Sequence, residues 1–319
     1  MDGKPVKAVA QVSKQGFCYV FDRLTGRPIW PIGERPVPQS TVPGERSSPT
    51  QPFPTRPAPF DRQGITENDV IDFTPELRKE ALAVLEKYNY GPVFTPPSLQ
   101  KPTILMPAIA GGASWAGAAY DPETGILYVT SITFPYAVTM LKAPVPHADY
   151  AGVPAPVETM QGIPLWKPPY GRITAIDLNT GDHRWMVPMG DRARSNPVLQ
   201  RLRLPPLGRA ARGHVLLTKT LLIVGQEGNT QRESIAQRES IAQREASADP
   251  ASVKVPNFEI HDPKVCAYDK ATGKVVGEVA LPRNATGAPM TYMLNDKQFI
   301  VVPTGGSNLP AELIALRLP

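Results

Sequence analysis

The run Gly16-Phe-Cys-Tyr-Val-Phe-Asp22-Arg-Leu-Thr-Gly26-Arg-Pro-Ile-Trp30 decides the fold class. An apolar, strand-like stretch ends on an aspartate, a glycine closes the Asp-x-x-Thr-Gly unit, and a tryptophan follows in the next segment. The unit reads as a hairpin corner. The Asp22 carboxylate can accept backbone N–H bonds across a tight turn, and Thr25 packs or caps it. Gly26 supplies the positive φ that returns the chain. The next strand is then expected to carry Trp30 onto a neighbouring sheet.

The same unit recurs at Asp121–Gly125, Asp177–Gly181 and Asp269–Gly273. Strand-like runs also precede the third and fourth copies, Gly171-Arg-Ile-Thr-Ala-Ile176 and Val265-Cys-Ala-Tyr268. A tryptophan in phase returns at Trp185, whereas the last copy has Gly277 there. One such turn is common in hairpins. Four, two of them with tryptophan in phase, mark a repeating sheet that cannot cover its own faces, as in propeller blades.

The composition agrees. Thirty-eight prolines and 25 glycines in 319 residues exclude long helices and fit short strands with stiff connections. With 41% hydrophobic and 20% charged residues the chain is globular rather than disordered or membrane-embedded. A net charge of +5 is mild for this length and argues against a nucleic-acid partner. The densest basic stretch, Asp191 to Arg212, reads as a solvated loop. Cys18 and Cys266 each lie in an apolar run and read as buried thiols. No run approaches the ~18 apolar residues of a membrane-spanning helix, and Met1 to Gln11 lacks the apolar core of a signal peptide.

One helix is predicted inside a proline-rich insertion, 31–107, which shows no strand alternation before Thr103. Thr74 can cap it, Pro75 suits its first position, and Leu77, Ala81, Leu85 and Tyr88 share a face before Gly91-Pro92 stops it. A doubled hexapeptide, Gln231 to Ala242, fits neither helix nor strand periodicity and reads as part of a low-complexity loop at 229–256. No phosphate loop, nucleophile elbow or metal-binding motif occurs. His147, His183, His214 and His261 are scattered and read as surface or turn residues. Asn284-Ala285-Thr286 matches a glycosylation acceptor, and its use is not expected.

Resemblance carries the functional reading. Lys7-Ala-Val-Ala-Gln-Val-Ser-Lys14-Gln-Gly-Phe-Cys-Tyr-Val-Phe-Asp22 through Trp30 resembles the tryptophan-docking repeat of quinoprotein (pyrroloquinoline quinone, PQQ) glucose and alcohol dehydrogenases. Ser48-Pro-Thr-Gln-Pro-Phe-Pro54, Phe94-Thr-Pro-Pro-Ser98, Gly111-Gly-Ala-Ser-Trp-Ala-Gly117 and Gly287-Ala-Pro-Met-Thr-Tyr292 resemble the membrane glucose dehydrogenase branch, in order along nearly the whole chain. The resemblance implies an all-β fold: part of an eight-bladed propeller, about four blades of four-stranded antiparallel sheet over 1–319, with one inserted helix. It implies PQQ near the axis with Ca²⁺ or Mg²⁺ beside it, oxidation of a sugar or alcohol by hydride transfer to the quinone, and electron transfer to ubiquinone or a cytochrome. The cofactor carries the redox chemistry, and the protein orients and polarises it.

Three positions match cofactor-proximal sites of the family. Lys14 corresponds to the lysine or arginine that hydrogen-bonds the reactive quinone oxygens, where a fixed cation stabilises developing negative charge. Ser114 and Trp115 match a loop that approaches PQQ, with serine standing where alcohol dehydrogenases often carry asparagine. The family's metal ligands and catalytic aspartate lie upstream of the Lys14 repeat. The chain is therefore expected to need a missing N-terminal propeller half, or to self-associate, and to be inactive alone. A periplasmic or inner-membrane address is implied for the full-length relatives. The alternative is a non-enzymatic propeller scaffold.

Overall fold

The computed structural model describes residues 4–113, 116–143, 147–191, 193–226, 263–306 and 309–317. They fall into two compact units, Met1–Ala210 and Ala211–Pro319. The low-complexity loop and its doubled hexapeptide lie outside the described residues, as do His261, Ser114 and Trp115.

The first unit opens with a hairpin, β1 (Ala8–Val12) and β2 (Cys18–Asp22), in which Val12 pairs with Cys18. A second hairpin, β3 (Ile32–Pro36) and β4 (Thr50–Pro54), lies inside the insertion where the sequence shows no alternation. Pro36, Pro52 and Pro54 cannot donate to a ladder, and a two-stranded ribbon with two free edges tolerates them. Then follow α1 (Pro75–Leu85), β5 (Thr103–Leu105), β6 (Ala118–Asp121), β7 (Ile126–Ile132), β8 (Tyr136–Lys142), β9 (Tyr150–Pro156), β10 (Gly171–Asp177), β11 (Asp182–Pro188) and α2 (Pro197–Gln200). Their sheets are four-stranded in the order β11-β10-β7-β6 and three-stranded in the order β5-β8-β9, all antiparallel. Every residue of β7 and β10 is buried, so these central strands have no solvent-exposed face.

The helix starts where the sequence predicts and stops sooner, at Leu85, so Tyr88 packs on the core from beyond its end. The Thr74 hydroxyl accepts from the Leu77 N–H at 3.2 Å, and Leu77, Ala81, Val84 and Leu85 are buried. These side chains join Ile104, Met106, Leu165, Trp166 and Tyr170 in one apolar cluster. The basic stretch after Asp191 departs from the solvated loop expected of it. Asn196 caps α2 by accepting from the Val198 N–H at 2.9 Å, and Leu199, Leu207 and Arg209 are buried. The apolar residues between the arginines are what draw the segment inward.

The second unit holds a four-stranded antiparallel sheet, β12 (Gly213–Leu217), β13 (Leu221–Gln226), β14 (Lys264–Asp269) and β15 (Val275–Ala280), in sequence order. A three-stranded sheet follows, β16 (Met290–Leu294), β17 (Lys297–Gly306) and β18 (Leu309–Arg317). Ile223, Val265, Leu281, Ala285, Ile300 and Val302 form the core of this unit. His214, expected at a surface or turn, is buried in β12. Asn284 is buried as well.

The four Asp-x-x-Thr-Gly units form the same corner. Asp22 accepts from the N–H groups of Leu24 and Thr25 and from the Thr25 hydroxyl. Asp121 accepts from the Glu123 N–H and the Thr124 hydroxyl, and Asp269 from the N–H and hydroxyl of Thr272. Asp177 accepts from the Asn179 N–H. Gly26, Gly125, Gly181 and Gly273 stand at φ of +72°, +75°, +80° and +71°, each donating its N–H to the aspartate carbonyl. Yet copies and sheets do not correspond one to one. The second and third copies join β6 to β7 and β10 to β11 of a single sheet, and the β16–β18 sheet has none.

Trp30 fulfils the docking expectation. A Cβ on Gly181, in the turn of a different sheet, would lie 3.2 Å from its indole ring. Trp185 does otherwise: it packs against Tyr128 of its own sheet, with ring centres 5.7 Å apart.

Candidate functional site

Lys14 sits at the tip of the β1–β2 hairpin. Ser13 and Phe17 close the tip through the Ser13 N–H to the Phe17 carbonyl at 2.9 Å and the Phe17 N–H to the Ser13 hydroxyl at 3.2 Å. Phe17 is buried and anchors the tip edge-on against Phe53 of β4, with ring centres 5.4 Å apart. The Phe60 N–H adds a bond to the Gly16 carbonyl at 2.9 Å. A rigid corner thus presents an exposed lysine.

The Lys14 side chain lies over the turn 109–112. Its ammonium donates to the Ile109 carbonyl at 3.0 Å, and its carbonyl accepts from the Gly112 N–H at 2.9 Å. Gly111, at φ +80°, is the rest for the stem: a Cβ there would meet the Lys14 backbone and side chain at 2.6–2.7 Å. No other residue type fits both that φ and that contact. An ammonium has three N–H donors, and Ile109 uses one of them.

Behind the turn lies a buried polar cluster that the sequence does not reveal. Asp61 follows the buried Phe60, and its carboxylate accepts from the Thr133 hydroxyl at 2.8 Å and from the Arg62 N–H at 2.8 Å. The Arg172 guanidinium, on β10, stands 3.4 Å from the same carboxylate oxygen. It donates to the Pro169 carbonyl at 2.7 Å and to the Thr133 hydroxyl. The side chains of Arg172 and Asp61 are only 6% and 1% exposed, which makes the pair an internal one. Burial pulls the Arg172 guanidinium below its ordinary value; Asp61 opposes that pull and Arg62 adds to it. Burial pushes the neighbouring Tyr170 phenol up, with the Arg62 charge acting the other way.

Other titratable groups are less suggestive. Burial pushes both the Cys18 and Cys266 thiols up to about 12, so neither is a thiolate at neutral pH. Among the described residues no group of three or more His, Cys, Asp or Glu side chains could hold a metal ion. No described helix is long and apolar enough to cross a membrane.

Of the three positions singled out in the sequence, Lys14 is placed, at the junction of the hairpin tip and the turn that leads towards Ser114 and Trp115. Those two lie outside the described residues. Asp61, Thr133 and Arg172 were missed. Each is an ordinary polar residue in its own segment, and only the tertiary fold brings them together. Lys14 fits a quinone carbonyl: it offers an exposed cation with donors to spare, held at both its head and its backbone. The described residues give no fit to the divalent cation that the resemblance implies.

Comparison with known proteins gives the family. Residues 1–238 and 251–300 match the PQQ-dependent family described as "Glucose/ethanol/alcohol dehydrogenase, beta-propeller domain". The chain is 31% identical to the glycerol dehydrogenase large subunit of Gluconobacter oxydans, over 100% of its own length and 43% of that protein. It is 27% identical to quinoprotein glucose dehydrogenase A of Acinetobacter calcoaceticus, over 99% of its length and 39% of that protein. The chain therefore spans well under half of these relatives. Its fold resembles the quinohemoprotein alcohol dehydrogenase of Comamonas testosteroni, with a TM-score of 0.50 at 17% identity, covering 96% of this chain and 33% of that one. Repeat, fold and family match converge, and the chain belongs to the β-propeller family of the PQQ-dependent glucose, ethanol and alcohol dehydrogenases.

Proposed function

We propose that the chain forms the Lys14 side of a PQQ site in a dehydrogenase that oxidises a sugar, a polyol or another alcohol. The observation that carries this reading is the posture of Lys14, an exposed ammonium resting on Gly111 with one of its donors engaged. PQQ, when bound, supplies the redox chemistry of the family. The part of this chain is to bind and orient. Lys14 offers its remaining N–H donors to a carbonyl oxygen, and its fixed charge stabilises negative charge that develops there. The rigid tip keeps the ammonium from relaxing away as charge builds.

The substrate class follows the relatives, whose names give glycerol, glucose and quinate. Electron delivery to ubiquinone or a cytochrome, and a periplasmic or inner-membrane location, follow from the same resemblance. The catalytic base and the metal ligands are assigned to a part of the assembly outside the described residues, so the isolated chain is expected to bind without turning over.

Titration of the purified chain with PQQ, followed by tryptophan fluorescence, tests the reading. Loss of one charge-assisted hydrogen bond, at about 1.5–3 kcal/mol, weakens binding roughly 10- to 150-fold in Lys14→Ala. Lys14→Arg recovers most of the affinity. The absence of saturable binding, or equal affinity in the parent and Lys14→Ala, contradicts the reading.

A further inference from the structure

We infer that Asp61 is a positioning residue for Lys14, holding the Gly111–Gly112 rest in place from behind; the inference builds on the reading of Lys14 as the quinone-facing cation. Asp61 touches neither the hairpin-tip ammonium nor any exposed surface. It meets the rest at Gly112, where a Cβ would stand 3.0 Å from one carboxylate oxygen and 3.2 Å from the Asp61 Cβ. It also meets the hairpin tip, where a Cβ on Gly16 would stand 3.0 Å from the Asp61 Cβ. One side chain thus fills the space behind both elements that carry Lys14.

The two carboxylate oxygens divide the work. Oδ1 is tied to Thr133, the Arg62 N–H and the Arg172 guanidinium. Oδ2, facing Gly112, has no hydrogen-bond partner among the described residues although it is fully buried. A buried unpartnered carboxylate oxygen is costly, and the fold tolerates this one against the glycine that supports Lys14. The backbone completes the frame. Gly112 donates to the Lys14 carbonyl at 2.9 Å and accepts from the Ile132 N–H at 2.8 Å, next to Thr133. The route from Asp61 to Lys14 is therefore a short run of packed atoms and hydrogen bonds: Asp61 to Gly112, and Gly112 to Lys14. Arg172 fixes the far end, bonded into the peptide at Pro169 and into Thr133.

Two measurements on the full chain test this. The first is amide hydrogen exchange without cofactor. Asp61→Ala accelerates exchange at Gly112 and Ile132 on the order of tenfold or more, the effect of weakening one buried hydrogen bond. The β2 amides stay within about threefold of the parent. Gly112→Ala, which presses a methyl group against the carboxylate, does the same and serves if Asp61→Ala does not fold. As a control, Leu165→Ala cuts into the helical core and leaves Gly112 at the parental rate.

The second is a double-mutant cycle on PQQ affinity. If Asp61 acts through Lys14, Asp61→Ala weakens PQQ binding in the parent and changes it less than twofold in Lys14→Ala, since coupled residues are non-additive. Parental exchange at Ile132 in both variants, or an acceleration spread evenly over the unit, overturns the inference. So does a fully additive cycle. The exchange arm is read without PQQ, so failure of the quinone reading and failure of the Asp61 inference are separate results.

Discussion

Replacing Asp177 by alanine probes the repeat that organises the fold. Asp177 is buried at the β10–β11 corner, where one carboxylate oxygen accepts from the Asn179 N–H at 2.8 Å and the Asn179 amide at 3.0 Å. The other accepts from Arg184 Nε at 2.9 Å and Nη2 at 2.5 Å. Loss of a capping carboxylate costs about 0.5–2 kcal/mol. The Arg184 side chain is 62% exposed, so solvent screening limits that pair to about 1 kcal/mol at most. The sum is about 0.7–3 kcal/mol, and at about 2–4 °C per kcal/mol for a unit of this size the melting temperature falls by roughly 1.5–12 °C. Asp177→Asn keeps an acceptor for Asn179 and forfeits the ion pair, so it falls by about 4 °C at most. Differential scanning calorimetry at pH 7 reads all three proteins. Alanine melting within about 1 °C of the parent, or asparagine melting as low as alanine, refutes the corner as a buried cap.

Three further outcomes follow from the same structure. Asp177 titrates below the ordinary carboxyl range, because burial, which raises its pKa, is outweighed by the Asn179 and Arg184 bonds, which lower it. Its stabilisation is therefore present above the unfolded carboxyl value and lost as pH falls through the folded one, so the gap between parent and Asp177→Ala closes below about pH 4; a gap still constant at pH 2 would contradict this. Trp30 is half-buried against Gly181 and the apolar cluster around Val12 and Val20. Trp30→Ala costs about 2 kcal/mol, roughly half of a full aromatic truncation, and calorimetry showing no loss would remove it as a dock between sheets. Cys18 and Cys266 are buried with raised pKa values, so a thiol reagent at pH 8 labels neither until the chain is unfolded with denaturant; stoichiometric labelling of the native protein at the rate of a free thiol contradicts their placement.

What the sequence shows and hides follows from how far apart the interacting atoms lie along the chain. The Asp-x-x-Thr-Gly corners are legible because carboxylate, amides, hydroxyl and glycine all fall within five residues, so spacing specifies geometry. The helix at Thr74 is legible for the same reason. The β3–β4 hairpin is not, because its prolines erase the alternation that a strand normally displays, and only register against the partner identifies it. The spread of four corners over three sheets is also hidden, since the sequence does not say which strands pair. At the site, Lys14 stands out only through resemblance; by itself it is a lysine before a strand. Asp61, Thr133 and Arg172 carry no local signal at all. Thr133 and Asp61 are 72 residues apart, and their bond exists only once β7, β10 and the loop after Phe60 are packed together.

In the proposed site Lys14 faces the quinone. A structure of this protein with PQQ bound tests that most directly. The predicted result places Lys14 Nζ about 2.7–3.2 Å from a quinone carbonyl oxygen, with the stem still resting on Gly111 and Asp61 still against Gly112. PQQ bound at another surface, or bound nearby with Lys14 turned to solvent, would contradict it.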